Sequence, residues 1–148
     1  MKKKYVVGVD LGGTKIYTAL VDLDGNIVKE VTVKTEAQKG DAVVLDKIIK
    51  TIDDVLIGTD IDEIKAIGVG SPGPLDVENG LIVYTPNLPF KNFNIVKPIK
   101  EKYKIDTYLD NDANVATLSE YMFGAGKGSK NMVYVTVSTG IGGGAILN

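Results

Sequence analysis

The spacing of apolar and polar residues in the first quarter of the chain predicts three consecutive antiparallel strands. Residues 5–9 form a mostly β-branched apolar run, which is typical of a buried strand. Strand character resumes at residues 16–21 after a pair of glycines, and residues 27–33 alternate apolar and polar side chains as a half-exposed strand does. The turn-forming residues 22–26 join the second and third strands.

The rest of the chain alternates between helical and strand patterns. Apolar residues recur at three- and four-residue steps after Asp41, which predicts an amphipathic helix that ends at Gly58. The predicted elements that follow are a strand at 64–69, a long irregular loop at 71–90, a helix at 94–103 that Pro98 weakens, a strand at 105–109, a helix at 112–123, a strand at 132–137 and a last strand from Ala145. The order βββαβαβα predicts an α/β fold with a mixed sheet and helices on its faces.

Composition narrows the possible chemistry. The 148 residues include no cysteine and no histidine, so disulfides, thiolate metal sites and imidazole catalysis are excluded. A catalytic base would have to be a carboxylate or, less often, a lysine or tyrosine. The net charge of −2, with acids and bases mixed, predicts no nucleic-acid partner. No segment has the pattern of a signal peptide or a membrane span, so a cytoplasmic protein is expected.

The stretch GVDLGGTK, residues 8–15, has nearly the spacing of a nucleotide-binding P-loop, but its threonine precedes its lysine and a strand follows it. Adjacent glycines let backbone N–H groups turn towards an anion. Asp10, at the end of a buried strand, could hold Mg²⁺ through water. The alternative is a tight β-hairpin in which the glycines only supply positive φ. The candidate phosphate-binding residues are Gly12, Gly13, Thr14 and Lys15.

Two further motifs follow strands. GVGSPG, residues 68–73, matches a dinucleotide-binding pattern, but Pro72 and Pro74 prevent the helix that such a site needs. Residues 68–73 are therefore expected to form either a structural turn or a loop that binds substrate. LDNDANVA, residues 109–116, places four Asp or Asn residues between a strand and a helix. One of them would suffice as a helix cap, so Asp112 is a candidate catalytic base, with capping as the alternative.

The last motif, TGIGGGA at residues 139–145, is rich in glycine between two apolar strands. Phosphate contact and a flexible hairpin both fit this pattern. Residues 6–21 and 133–147 share one form, in which a strand, a small loop with adjacent glycines and a second strand follow each other. Two such hairpins could hold one ligand between two lobes.

In this order, DLGGTK, GVGSPGPLD, TPNLPF, LDNDANVA and STGIGGGA resemble the ROK family of sugar kinases and repressors, and its glucokinases most of all. The resemblance implies a ribonuclease-H-like lobe of the actin/hexokinase superfamily over residues 1–130, followed at 131–148 by the first hairpin of a second lobe. It also implies phosphoryl transfer from ATP, with Mg²⁺, to a hexose hydroxyl, with glucose as the first candidate.

The resemblance assigns roles to individual residues. Asp112 would be the catalytic base, and Asn111 would hydrogen-bond the sugar. Asp10 would lie near Mg²⁺. The sugar pocket would be lined by Gly70, Ser71, Pro72, Gly73 and Asn87. The first phosphate loop would be formed by Gly12, Gly13, Thr14 and Lys15, and the second by Thr139, Gly140, Gly142 and Gly143.

The chain also departs from the family pattern. It ends at Asn148, before the family's Glu-x-Gly-His sugar motif and its cysteine-rich zinc site, so that zinc site is expected to be absent and the chain alone nearly inactive. A homodimer is expected, because the last hairpin would otherwise lack a partner. Two alternatives remain: a non-catalytic sugar-sensing module of the family, or a different superfamily enzyme such as an acetate kinase or a polyphosphate-using glucokinase.

Overall fold

The computed structural model describes residues 2–137 and 141–148, which form ten strands and three α-helices. The strands are β1 (Tyr5–Leu11), β2 (Lys15–Asp22), β3 (Ile27–Lys34), β4 (Ile64–Ser71), β5 (Leu75–Asp76), β6 (Leu81–Tyr84), β7 (Lys91–Asn94), β8 (Thr107–Asn111), β9 (Met132–Val137) and β10 (Ile141–Ile146). The helices are α1 (Asp41–Leu56), α2 (Val96–Tyr103) and α3 (Asp112–Met122).

Five of these strands form the central sheet, in the order β3-β2-β1-β4-β8. Strands β1, β2 and β3 are antiparallel neighbours, whereas β4 runs parallel to both β1 and β8. The sheet is therefore mixed, as the predicted element order requires, and the α/β fold class is confirmed. The parallel strands β1, β4 and β8 all end at the same edge of the sheet, which is the edge where α/β proteins place their ligands.

The core lies on one face of the central sheet. Helix α1 buries Val44, Ile48 and Ile52 there, at the three- and four-residue spacing that the sequence shows. Buried Thr51 of the same helix lies 2.8 Å, hydroxyl to hydroxyl, from buried Thr18 of β2, which marks the face of the sheet that α1 covers. Helix α2 contributes its buried isoleucine, Ile99, to the same apolar cluster.

The predicted irregular loop at 71–90 is wrong in part, because it contains most of a second sheet. Strands β5, β6 and β7 form a small antiparallel sheet of three strands, with Leu75 opposite Ile82 and Ile82 opposite Phe93. Ile82 is completely buried against the main core. The strands have only two to four residues each, so their alternation is too short to distinguish them from a loop.

Two predicted boundaries shift for local reasons. Helix α2 begins at Val96 and not at 94, because Asn94 ends β7 and its side chain accepts a hydrogen bond from the Lys97 amide. Pro98 consequently falls in the first turn, where its missing N–H would have no intrahelical partner. Strand β8 covers Thr107–Asn111 and not 105–109, because residues 107–111 pair with residues 67–71 of β4.

The last hairpin packs on helix α3. Strand β10 begins at Ile141, so the predicted start at Ala145 is wrong and the glycines at 142–144 lie inside a strand, paired with β9. Gly144 faces α3 so closely that an added Cβ would lie 3.0 Å from the Cβ of Thr117 and nearer still to its hydroxyl. The opposite face of the hairpin is apolar and exposed, with Val133, Val135, Val137 and Ile141.

None of the helices in the described ranges combines the length and the apolar character that a membrane crossing requires.

Candidate functional site

Polar residues of three strands converge at the carboxyl edge of the central sheet. Asp10 of β1 lies beside Gly70 of β4, and Gly70 lies beside Asp110 of β8. One position further on, Ser71 pairs with Asn111. The sheet register therefore brings together the ends of three motifs that are up to 100 residues apart in sequence. This convergence is the tertiary feature on which the candidate site depends.

Asn111 caps helix α3. Its side-chain oxygen accepts hydrogen bonds from the amides of Ala113 at 3.0 Å and Asn114 at 3.3 Å. The capping alternative is thus correct for Asn111, and its side-chain NH₂ group remains available as a donor on the side of Gly73. Asp110 accepts from the Asn114 side chain at 3.2 Å, which holds it at the start of the helix.

Asp112 occupies the first turn of α3, where its carboxylate accepts a hydrogen bond of 2.8 Å from the Ala113 amide. The cap itself comes from Asn111, so the helix does not need Asp112 for this purpose. The Cα atom of Asp112 lies 3.8 Å from the place where a Gly70 side chain would begin. Asp112 is therefore at the edge shared by β4 and β8.

The two carboxylates of the site repel each other. Desolvation raises the pKa of the Asp10 carboxyl above its ordinary value, and the negative charge of Asp112 raises it further, whereas Lys15 opposes the shift. Negative charge at this edge is thus only partly compensated by the protein. A cation with bound water would relieve the repulsion, and Mg²⁺ is commonly held by one or two carboxylates together with phosphate oxygens. Within the described ranges no cluster of three or more acidic side chains forms a closed metal cage.

The GGT loop, defined here as residues 12–14, joins β1 to β2. Neither Gly12 nor Gly13 has a φ in the left-handed region, so the alternative in which these glycines merely supply positive φ is wrong. Gly13 instead allows a close approach: a Cβ there would lie 2.7 Å from the Cβ of Asn87 and 2.9 Å from the Asn87 carbonyl oxygen. The loop is thus packed directly against the TPNLPF segment, to which Asn87 belongs.

Thr35, directly after β3, holds the GGT loop from another direction. Its hydroxyl donates to the Gly12 carbonyl at 2.6 Å, and its backbone N–H donates to the Thr14 carbonyl at 2.9 Å. The side chain is completely buried. This residue is not predictable from the sequence, because a single threonine between an alternating strand and a turn carries no motif.

The loop at residues 70–73 follows β4 directly. Ser71 is completely buried, and its hydroxyl donates to the Pro72 carbonyl at 3.0 Å. Its side chain is therefore already engaged within the protein. Gly73 approaches the side chain of Asn111, with 3.8 Å between an added Cβ and the Asn111 amide nitrogen. The predicted sugar-pocket residues Gly70, Gly73 and Asn111 are thus neighbours, with backbone atoms of the loop beside a side-chain amide.

The second glycine-rich segment reaches the same helix. Gly142 lies beside the first turn of α3, with 3.5 Å between an added Cβ and the Cβ of Ala113. Gly143 points to the other side of the hairpin, where an added Cβ would lie 2.7 Å from the Tyr134 carbonyl oxygen. Thr139 and Gly140, also predicted to bind phosphate, lie outside the described residues.

An open groove of about 810 Å³ lies elsewhere, between α2, the β5–β6 turn and β8. It is lined by Asn79, Lys97, Lys100 and Tyr108 among others, and by none of the predicted site residues. The candidate site is thus an open edge of the sheet and not this groove.

Comparisons with known proteins find relatives along nearly the whole chain. The ROK family model matches residues 6–148. The chain is 40% identical over 147 residues to the glucokinase of Thermotoga maritima, covering 99% of this chain and 45% of that relative. It is 34% identical over 149 residues to the xylose repressor of Bacillus subtilis, covering 99% of this chain and 38% of the repressor.

Among solved structures, a ROK family glucokinase from Streptomyces griseus in complex with glucose and AMPPNP superposes with a TM-score of 0.87 at 31% identity. The superposition covers 97% of this chain and 44% of the glucokinase. The chain thus spans less than half the length of each of these three proteins.

Proposed function

Because this chain belongs to the ROK family, we propose that it carries the sugar- and nucleotide-binding half of a sugar kinase, which transfers the terminal phosphoryl group of ATP to a hexose hydroxyl. We propose glucose as the hexose, since the relatives that support this assignment include glucokinases. The observation that carries the proposal is the convergence of Asp10, Asn111 and Asp112 at one edge of the sheet. The proposed use of ATP favours the cytoplasm as the location of this protein.

Each residue has a defined part in the proposed reaction. Asp112 accepts the proton of the attacking sugar hydroxyl, whose oxygen then bonds to the terminal phosphorus as the bond to the leaving ADP oxygen breaks. Asn111 donates its side-chain N–H to a sugar hydroxyl. Backbone amides of the GGT loop, and of the segment that includes Gly142, face the phosphates. Asp10 would hold Mg²⁺ through water, and the ion would neutralise charge on the phosphates.

The proposal divides the chain into a lobe at residues 1–130 and the first hairpin of a second lobe at 131–148. The relatives are more than twice as long as this chain, and the first lobe supplies only one side of a cleft. We therefore expect the 148-residue chain by itself to show little turnover with glucose and ATP. Near-normal ADP release from this chain would refute that expectation.

The role of Asp112 is best tested in a chimera that joins this chain to the unmatched part of the Thermotoga maritima glucokinase. In that chimera Asp112→Asn should lower kcat by about 10²–10⁴-fold, the usual contribution of a general base, and leave glucose affinity nearly unchanged. Asp110→Asn is the matched control, because Asp110 is the neighbouring exposed carboxylate and has no assigned chemical role. Equal loss in both variants, or retained turnover in Asp112→Asn, would show that the base is elsewhere.

A sugar-sensing module without catalysis is a second candidate function, and the similarity to a xylose repressor favours it. Such a module would bind sugar but would have no use for a base. In the same chimera it would show glucose or xylose binding by calorimetry without ADP release. Substituting Asp112 would then leave both the sugar binding and the absence of ADP release unchanged.

A homodimer is also part of the proposal. The exposed apolar face of the hairpin, formed by Val133, Val135, Val137 and Ile141, would be covered by a second copy. Light scattering of the chain should then show a concentration-dependent dimer, and Val135→Lys should abolish it. A monomer at high concentration would refute this part.

A further inference from the structure

Thr35 makes two hydrogen bonds to the GGT loop, although it lies 21 positions after the last residue of that loop in sequence. Its hydroxyl donates to the Gly12 carbonyl at 2.6 Å, and its N–H donates to the Thr14 carbonyl at 2.9 Å. The carbonyl groups of Gly12 and Thr14, the two residues next to Gly13, therefore both point towards Thr35. The Thr35 side chain is completely buried. Water therefore does not compete with its hydrogen bond to the loop.

This arrangement fixes the direction of a backbone donor. In a planar trans peptide the C=O and the following N–H point in opposite directions. Since the Gly12 carbonyl points to Thr35, the Gly13 N–H points away from Thr35. In the described part of the chain, neither the Gly13 amide nor the Thr14 amide donates a hydrogen bond to a protein acceptor. The loop thus presents a backbone donor of fixed direction that is free to bind a ligand.

The other side of the loop is closed by Asn87. Its Cβ and carbonyl oxygen approach the Gly13 Cα so closely that no side chain could be placed between them. The backbone N–H of Asn87 in turn donates to the hydroxyl of Thr85 at 3.4 Å, and Thr85 is almost completely buried. Gly13 is therefore held between two anchored segments, and the peptide group that joins Gly12 to Gly13 cannot rotate without breaking the hydrogen bond to Thr35.

We propose that Thr35 is a positioning residue for the phosphates of the nucleotide, because it orients the Gly13 amide as a donor. This inference rests on the proposed function and deepens it, since it names how the first phosphate loop is held. Thr35 touches neither substrate nor cofactor, and it acts only through the peptide groups of residues 12–14.

The test uses the chain of 148 residues and NMR of its backbone amides. Mg·AMPPNP and inorganic tripolyphosphate are titrated separately into the wild-type chain, Thr35→Val and Thr35→Ser. Thr35→Val keeps the side-chain shape but removes the hydroxyl, whereas Thr35→Ser keeps the hydroxyl. Urea unfolding of each variant is measured in parallel, so that binding is compared only where all three chains are folded.

In the wild-type chain and in Thr35→Ser, the Gly13 amide proton should move downfield with either probe, and the affinities should agree. Thr35→Val should bind both probes about tenfold more weakly, the loss expected for one hydrogen bond to a charged group. A purely structural role would lower the stability of Thr35→Val but leave its affinity unchanged.

Three results would overturn the proposal. They are equal affinities in folded Thr35→Val and wild type, equal losses in Thr35→Val and Thr35→Ser, or binding by the wild type that leaves the Gly13 amide unshifted. The last result needs no variant, so it decides even if Thr35→Val does not fold. A wild-type chain that binds neither probe also leaves the Gly13 amide unshifted and so counts against this proposal, whereas the proposed function is judged separately, by ADP release from the chimera.

Discussion

Replacing Gly13 with alanine tests whether the GGT loop is glycine-rich because of close packing. The added methyl carbon would lie 2.7 Å from the Cβ of Asn87 and 2.9 Å from its carbonyl oxygen. The carbonyl oxygen belongs to the backbone and the Cβ position is fixed by it, so no rotation of the Asn87 side chain relieves either contact. Asn87 is also flanked by buried neighbours, Thr85 and Leu88, which limits how far the segment can move.

The expected cost follows from this geometry. Adding a methyl group to a closely packed site usually costs about 1–3 kcal/mol, and two contacts below 3.0 Å place Gly13→Ala near the middle of that range. With a urea dependence of about 2 kcal/mol per molar, a loss of about 2 kcal/mol lowers the unfolding midpoint by about 1 M.

Circular dichroism in increasing urea measures the effect. Gly68→Ala is the matched control, because nothing lies within 4 Å of its added Cβ and its φ is not left-handed. That control should change the free energy of unfolding by less than about 0.5 kcal/mol. The double variant Gly13→Ala with Asn87→Gly should recover part of the loss, since it removes the 2.7 Å contact and keeps the one to the carbonyl. An unchanged midpoint in Gly13→Ala would refute the argument.

Two further predictions concern buried polar groups. Thr51 donates its hydroxyl proton to the Ile48 carbonyl at 2.9 Å, so Thr18 must be the donor in the contact between the two threonine hydroxyls. Thr51→Val should therefore cost about 1–3 kcal/mol by leaving the buried Thr18 hydroxyl without an acceptor, whereas the double valine variant should be nearly neutral in the same urea assay. The pKa of the Asp10 carboxyl is raised in the folded protein, so the folded state binds this proton more tightly and loses stability as pH rises through that pKa. Asp10→Asn should therefore raise the free energy of unfolding at pH 7, and this gain should disappear at acidic pH. Asp112→Asn should lower the pKa of Asp10, measured by a carboxyl NMR titration. An unchanged Asp10 pKa would show that the two carboxylates do not interact.

The sequence by itself determined the elements that have a long, regular pattern. Strands β1 to β3 and helix α1 lie within two residues of their predicted bounds, because each repeats its period over enough residues to identify it. The order of the motifs was also sufficient to identify the ROK family, which the family match over residues 6–148 confirms.

The conformation of several short segments depends on contacts between residues that are distant in sequence. Strands β5 to β7 have too few residues to show a period, and their pairing with one another makes them a sheet. The glycines at 142–144 lie in a strand because they pair with β9, and α3 leaves no room for a side chain at Gly144. Position 13 needs a glycine because Asn87, which lies 74 positions later in the sequence, leaves no room for a side chain there.

The candidate site shows the same division. Its residue types are visible in the sequence, since Asp112 and the glycine pairs stand in recognisable motifs. Their proximity is not, because it arises from the register of parallel strands that join distant segments. Thr35 shows why a local pattern cannot find every residue with a proposed role. Its contribution lies in two hydrogen bonds to a loop that ends 21 positions earlier, and such contacts exist only once the sheet has formed.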